Sequence, residues 1–156
     1  MTIFVALIFM NQLNPYLFVY GTLMAGVQSK MARRFHENSR FAGPGQLRGQ
    51  LFDLGHYPGA VYDPDAETFV HGHIFEITDP TRFLPILDAY EAVGTRFGQE
   101  GEYIRRECPV LAGEKQLLCW VYLYNLPTAR LPRIPSGDYL DFLSKNPNYQ
   151  NFIRTV

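Results

Sequence analysis

The 156-residue sequence predicts an α+β fold, a small barrel-like sheet carrying short helices, and three observations point there. Thirteen glycines and eleven prolines cut the chain into short pieces, a pattern of strands and turns rather than of a helix bundle. Residues 41–61 hold Gly43, Pro44, Gly45, Gly49, Gly55, Pro58 and Gly59 between short apolar runs, as expected of strands that bend sharply in a small barrel. Residues 103–111 and 116–124 flank Ala112-Gly113-Glu114-Lys115, the best hairpin signal in the chain.

Composition narrows the function classes. The chain is 47% hydrophobic and 19% charged, values of an ordinary globular domain. A net charge of −1 without blocks of one sign gives no basis for a nucleic-acid or anionic-membrane surface. Two cysteines, Cys108 and Cys119, do not make a disulfide scaffold, so a reducing, cytoplasmic setting is expected.

Residues 1–15 form an apolar extension ahead of one domain spanning residues 16–156. The apolar run from Met1 to Met10 is far shorter than the roughly 20 residues that cross a bilayer. It also lacks the positive start and cleavage site of a secretory signal. It reads either as an extra edge strand or as an extension upstream of a natural start at Met10.

Tyr16-Leu17-Phe18-Val19-Tyr20 is an unbroken apolar and aromatic run, as in a strand covered on both faces. Gly21 then permits unusual backbone angles and a close approach of ligand to main-chain N–H groups. Thr22 adds a hydroxyl and Gly26 closes the loop. Such a loop can hold a carboxylate on backbone donors, or it can be a plain turn after a strand.

A short, half-exposed helix is expected over residues 29–38, with Ser29 as its N-cap and Met31, Arg34, Phe35 and Asn38 spaced near 3.6. His36 on that helix reads as a packing or surface residue. Tyr57-Pro58-Gly59-Ala60 is expected to be a tight turn, and Asp63-Pro64-Asp65-Ala66 a second one. Residues 68–77 alternate as a strand, with His71 and His73 on one face. No nearby ligand completes a metal site around them, and none is expected.

Asp79-Pro80 is a helix start, with Phe83, Leu84, Leu87 and Tyr90 on one side. Pro85 suggests that the first turn is separate from the regular helix. Glu91 falls at its C-terminal end, where the helix dipole disfavours negative charge. In apolar surroundings its pKa would rise toward the range useful for proton transfer; the alternative is an exposed glutamate at a helix end.

In the hairpin, a two-residue turn at Gly113-Glu114 makes opposed positions sum to 227 and sets Cys108 against Cys119. They are expected as buried free thiols. Tyr103, Arg105, Trp120, Tyr122 and Tyr124 take the other face, either lining a pocket or forming core with an arginine at its rim. A last short helix is expected at residues 138–144, followed by a tail. There is no serine-hydrolase elbow, no phosphate-cradling loop ending in Lys-Ser/Thr and no dinucleotide fingerprint.

Four pieces in order carry a resemblance: Tyr20-Gly21-Thr22-Leu23 with Gly26; Tyr57-Pro58-Gly59-Ala60; Leu87-Asp88-Ala89-Tyr90-Glu91; and Tyr103-x-Arg105 leading to Cys119-Trp120-Val121-Tyr122. Over roughly residues 16–124 the chain resembles the γ-glutamylcyclotransferase-like family, which includes AIG2-like and γ-glutamylamine cyclotransferase proteins. The resemblance implies a small mixed β-barrel with helices around it. It also implies release of a γ-glutamyl group as 5-oxoproline, without metal or organic cofactor. Tyr20, Gly21, Thr22 and Leu23 would then bind the α-carboxylate and α-amino end of the substrate. Glu91 would be the catalytic general acid/base, and Tyr103 a pocket residue.

The implied partner is a small γ-glutamyl compound, with no nucleic acid and no membrane. Ala92 departs from the glycine often found there in the family. The glycine-rich stretch 93–103 leaves the substrate's other half open: glutathione-like peptide, γ-glutamyl amino acid, γ-glutamyl-amine or modified natural product. Two other classes remain beside the enzyme. One is a non-catalytic binding module on the same barrel, against which Glu91 argues. The other is an oligomer-forming structural protein, which rests on the apolar N-terminus alone.

Overall fold

A computed structural model describes residues 13–24, 29–55, 57–91 and 101–147. Residues 1–12, Gly26, Ala92 with the loop that follows it, and the end of the tail lie outside the described residues.

In chain order the elements are β1 (Tyr16–Val19), α1 (Lys30–Glu37), β2 (Ser39–Asp53), β3 (Pro58–Tyr62), β4 (Phe69–Ile77), α2 (Pro80–Tyr90), β5 (Tyr103–Ala112), β6 (Lys115–Tyr124) and α3 (Tyr139–Lys145). The sheet runs β3-β2-β4-β1-β6-β5, and β2 also pairs with β5 at Gln46 and Leu111. Five strands therefore close into a barrel, with β3 added outside the ring as the partner of β2. The β1–β6 pair, in register at Leu17 and Trp120, is parallel; the other pairs are antiparallel. This is the expected mixed barrel.

Alternation fills the core. Leu47 and Leu51 of β2, Val70 and Ile74 of β4, Cys108 and Val110 of β5, and Cys119 and Val121 of β6 are all buried. β1 alternates least: Leu17, Phe18 and Val19 are all buried, because barrel, helices and site enclose it from both sides.

Residues 41–61 hold two strands, and the long one, residues 39–53, is irregular as expected, with a register shift between Phe41 and Gly43. At Gly49, a φ of 147° and the closeness of Val61 tolerate no side chain. The expected turn at Tyr57-Pro58-Gly59-Ala60 is corrected, since Pro58 already opens β3. Pro58 is tolerated there as the first residue of a strand outside the barrel ring. The second turn is as expected: Ala66 N–H donates to the Asp63 carbonyl at 3.1 Å.

Ser29 caps α1, its hydroxyl accepting from Ala32 N–H at 3.0 Å. The buried face is Ala32 and Phe35, with Arg34 exposed. α2 is one continuous helix from Pro80, with Pro85 inside it on the exposed side. Asp79 caps it, and burial of Phe83, Leu84 and Leu87 offsets the one backbone bond that Pro85 cannot make. The hairpin register pairs Ile104 with Leu123 and Cys108 with Cys119, as expected, and Gly113 takes φ 67° in the turn. α3 is capped by Asp138.

Candidate active site

One end of the barrel opens into a cavity of about 250 Å³. Tyr20, Gly21, Thr22, Leu23, Glu91 and Tyr103, the six site residues expected from sequence, all line it. They come from the end of β1, the end of α2 and the start of β5, brought together by the closed sheet.

The glycine loop is fixed from below and left open above. Tyr20 is buried, and its hydroxyl donates to the Tyr122 carbonyl while accepting from Ala60 N–H at 3.2 Å. The exit of β1 is thereby tied to both β6 and β3. A side chain at Gly21 would press on Pro58 at 3.1 Å, and one at Gly59 on Tyr124 at 2.9 Å. The two glycine motifs thus meet because Gly21 seats against the Pro58 ring and Gly59 against the Tyr124 side chain.

Leu23 and Met24 are buried anchors, and Met24 N–H closes a turn onto the Gly21 carbonyl at 3.1 Å. His36 Nε2 lies 2.8 Å from the Leu23 carbonyl oxygen and donates to it in the Nε2–H tautomer; its ring stacks on Phe75. The packing role expected of His36 therefore includes bracing this loop. The N–H groups of Thr22 and Leu23 have no acceptor among the described residues.

Glu91 is the C-cap of α2; its N–H donates to the Leu87 carbonyl at 2.9 Å. Its side chain lines the cavity and is hydrogen-bonded by no described residue. Burial first, and the charge of Glu102 second, push its pKa up to about 7. It is therefore poised to take up and release a proton near neutrality. Thr22 Oγ1 lies 3.1 Å from the Tyr90 hydroxyl, so the glycine loop is joined to the residue just before Glu91.

Two aspects of the site were not read from sequence. Asp88 accepts from Arg105 through both oxygens, at 2.7 and 3.2 Å, and from the Tyr122 hydroxyl at 2.7 Å. Arg105 in turn lies 4.3 Å over the Trp120 ring. This clamp fastens the last turn of α2, and with it Glu91, to β5 and β6. Asp88 precedes Glu91 by three residues on one helix face, a spacing that could have signalled it. The second is Glu102, whose Oε1 accepts from the Tyr57 hydroxyl at 2.8 Å. Nothing in its sequence context sets Glu102 apart from other acids beside a strand.

Among Tyr103, Arg105, Trp120, Tyr122 and Tyr124, Tyr103 and Tyr122 face the cavity. The Tyr103 hydroxyl donates to the Pro58 carbonyl at 2.7 Å. Burial drives the pKa values of Tyr20, Tyr103 and Tyr122 far above the ordinary tyrosine value, so all three stay neutral. His71 and His73 stand away from this cavity, and no cluster of three metal-ligating side chains occurs among the described residues. No helix among them is long and apolar enough to cross a membrane.

The fold and site define a small closed barrel with an aromatic-lined cavity at one end, walled by the glycine loop after β1 and by the Glu91 carboxyl. The Gamma-glutamyl cyclotransferase, AIG2-like family model matches residues 17–141, and the chain belongs to that family. It is 37% identical over 132 residues to the gamma-glutamylcyclotransferase family protein YtfP of Escherichia coli K12, covering 80% of this chain and 96% of that one.

Among solved structures, an AIG2-like protein from Mus musculus superposes with a TM-score of 0.61 at 26% identity, covering 78% of this chain and 86% of that one. YkqA from Bacillus subtilis superposes with a TM-score of 0.65 at 21% identity, a likeness of fold. It covers 87% of this chain, which spans only 43% of the length of YkqA.

Proposed function

We propose that this protein is a γ-glutamyl cyclotransferase that releases 5-oxoproline from a γ-glutamyl amide or amine. The observation that carries the reading is the Glu91 carboxyl, raised to about 7, in the same cavity as two uncommitted N–H groups of the glycine loop. Those N–H groups, with the Thr22 hydroxyl, suit the substrate's α-carboxylate. Tyr20 shapes the loop that carries them, and Tyr103 walls the chain of the glutamyl group. The chemistry uses no metal or organic cofactor, and we place it in the cytoplasm, as expected for a chain with two cysteines and no disulfide framework.

The α-nitrogen is the nucleophile. Once its ammonium has given up one proton to solvent water, the free amine attacks the γ-carbonyl carbon and a five-membered ring closes. The bond from that carbon to the leaving nitrogen then breaks. Glu91 as carboxylate takes the second proton from the attacking nitrogen, and as carboxylic acid returns it to the departing nitrogen. Proton count is conserved over the cycle, and a group of pKa near 7 serves both halves. Attack and leaving occur within one molecule, so holding the folded conformer removes much of the entropic barrier.

The test is to incubate the protein with a panel of γ-glutamyl peptides, amino acids and amines and to measure 5-oxoproline. Turnover is expected, with an acid limb of kcat/KM centred near pH 7. Glu91→Gln should lower kcat by about 10²–10⁴-fold and abolish that limb. Turnover unchanged in Glu91→Gln would remove this residue from its role. Tight binding of γ-glutamyl compounds without turnover of any of them would favour the non-catalytic binding module.

A further inference from the structure

We propose that His36 is a positioning residue for the glycine loop: by holding the Leu23 carbonyl it sets how the Thr22 and Leu23 N–H groups are presented to the cavity. The inference rests on the cyclotransferase reading. It adds a residue that does not itself line the cavity and that acts through the loop.

The geometry of the loop makes this carbonyl the point of control. Met24 N–H donates to the Gly21 carbonyl at 3.1 Å, so residues 21–24 form a four-residue turn. Such a turn leaves its two central N–H groups over, and here they belong to Thr22 and Leu23. These are the two donors without an acceptor among the described residues, and both residues line the cavity. Their directions follow from the peptide planes of the turn. The plane between Leu23 and Met24 is gripped on both sides, its N–H by Gly21 and its carbonyl by His36 Nε2 at 2.8 Å. With both groups bonded, the plane cannot rotate without breaking a hydrogen bond. With the carbonyl released, a single bond closes the turn.

The imidazole is itself held. His36 lies in the last turn of α1, directly after the fully buried Phe35. Its ring stacks on Phe75 of β4, 5.2 Å between centroids and 21° between planes. Phe75 stands opposite Leu17 of β1. The donor is therefore aligned against the same strand pair from which the loop emerges. Stacking alone would be packing, for which any flat ring serves. What packing does not require is a nitrogen at the Leu23 carbonyl.

The effect belongs in binding. The substrate's α-carboxylate keeps its charge throughout ring closure, so weakening its anchor costs ground state and transition state alike. The test uses two variants that separate donor from ring. His36→Phe keeps a ring for Phe75 and removes the donor. His36→Gln removes the ring and offers an amide N–H near the position of Nε2. With any γ-glutamyl compound that is turned over, His36→Phe should raise KM by about 3–10-fold with kcat within about twofold of the parent. Inhibition by 5-oxoproline, which carries the same carboxylate, should weaken in parallel. His36→Gln should stay close to the parent on both counts. A parental KM in His36→Phe overturns the proposal, as does a loss confined to kcat. Equal impairment in both variants overturns it too, because the ring and not the donor would then matter. Should His36→Phe not fold, His36→Leu, which also lacks the donor, takes its place.

If no γ-glutamyl compound yields 5-oxoproline, the cyclotransferase reading fails by itself. Amide hydrogen exchange in the ligand-free protein then decides the role of His36. Faster exchange of the Met24 N–H in His36→Phe, restored in His36→Gln, upholds the grip on the turn. Exchange equal to the parent in His36→Phe, or equally fast in both variants, overturns it.

Discussion

Glu91 is held where the fold raises its pKa, and that placement costs stability when the carboxyl ionises. Burial and Glu102 hold its folded pKa at about 7, against an ordinary value of 4.5. The native state therefore binds this proton more tightly than the unfolded chain does. The resulting stabilisation is full below about pH 4.5 and is lost as pH rises through about 7. Glu91→Gln removes the half-buried, poorly solvated charge but keeps the shape. The variant should melt like the parent at pH 5 and be more stable at pH 8, by ~1–3 kcal/mol, in thermal or urea unfolding. A parent more stable than the variant at pH 8 would mean that Glu91 pairs with a cation. The sequence made this residue visible because a glutamate ending an apolar helix is unfavourable on two counts. Glu102 carried no such mark, and its importance comes only from the fold that brings residues 57 and 102 together.

At the scale of elements, the end of α2 is where local and long-range forces meet. Asp88 holds Arg105 and the Tyr122 hydroxyl while Glu91 projects into the cavity one turn on. Asp88→Asn keeps the volume and removes the charge that clamps the helix. With Glu91 in its proposed role, we expect kcat to fall by about 10-fold or more while KM changes little, because a small displacement of a group that transfers a proton costs rate before it costs binding. An equal rise in KM would show that the clamp shapes the binding wall instead.

The β5–β6 hairpin gives the opposite lesson. Its register followed from a two-residue glycine turn and held over ten pairs. Burial lifts the Cys108 thiol to about 11 and the Cys119 thiol to about 12. Both should react slowly with a disulfide reagent in the native protein at pH 8, and rapidly after unfolding, as a thiol titration would show. The errors fell where local signals were overruled. Pro58-Gly59 suggested a tight turn, but pairing with residues 49–53 of β2 draws residues 58–62 into a strand. Pro85 likewise sits within α2, because its missing N–H falls on the exposed side of a helix whose other face is buried.

Closure of the whole barrel is what assembles the cavity, and it depends on contacts with no sequence signature. β1 lies between β4, antiparallel, and β6, parallel, with Leu17 opposite Trp120. Strand alternation suggested a barrel, but it could not say which strand β1 would join. Gly72 of β4 is where this central strand is held most closely. A Cβ there would lie 2.2 Å from the Val19 carbonyl oxygen and 2.6 Å from the Phe18 ring. Backbone on one side and a buried ring on the other leave no room to give. Gly72→Ala should therefore destabilise the fold by ~2 kcal/mol or more, measured by urea unfolding. Val19 leads directly into Tyr20 and the glycine loop, so the same push displaces the loop N–H groups that we propose hold the substrate's carboxylate. Folded Gly72→Ala protein should show a raised KM for γ-glutamyl substrates. Gly113→Ala should not, since Gly113 lies in the hairpin turn with open space around it, and its φ of 67° confines the strain there. If Gly72→Ala folds with unchanged stability and KM, β1 is not gripped by β4 at this point, and the packing described for the loop would need another origin.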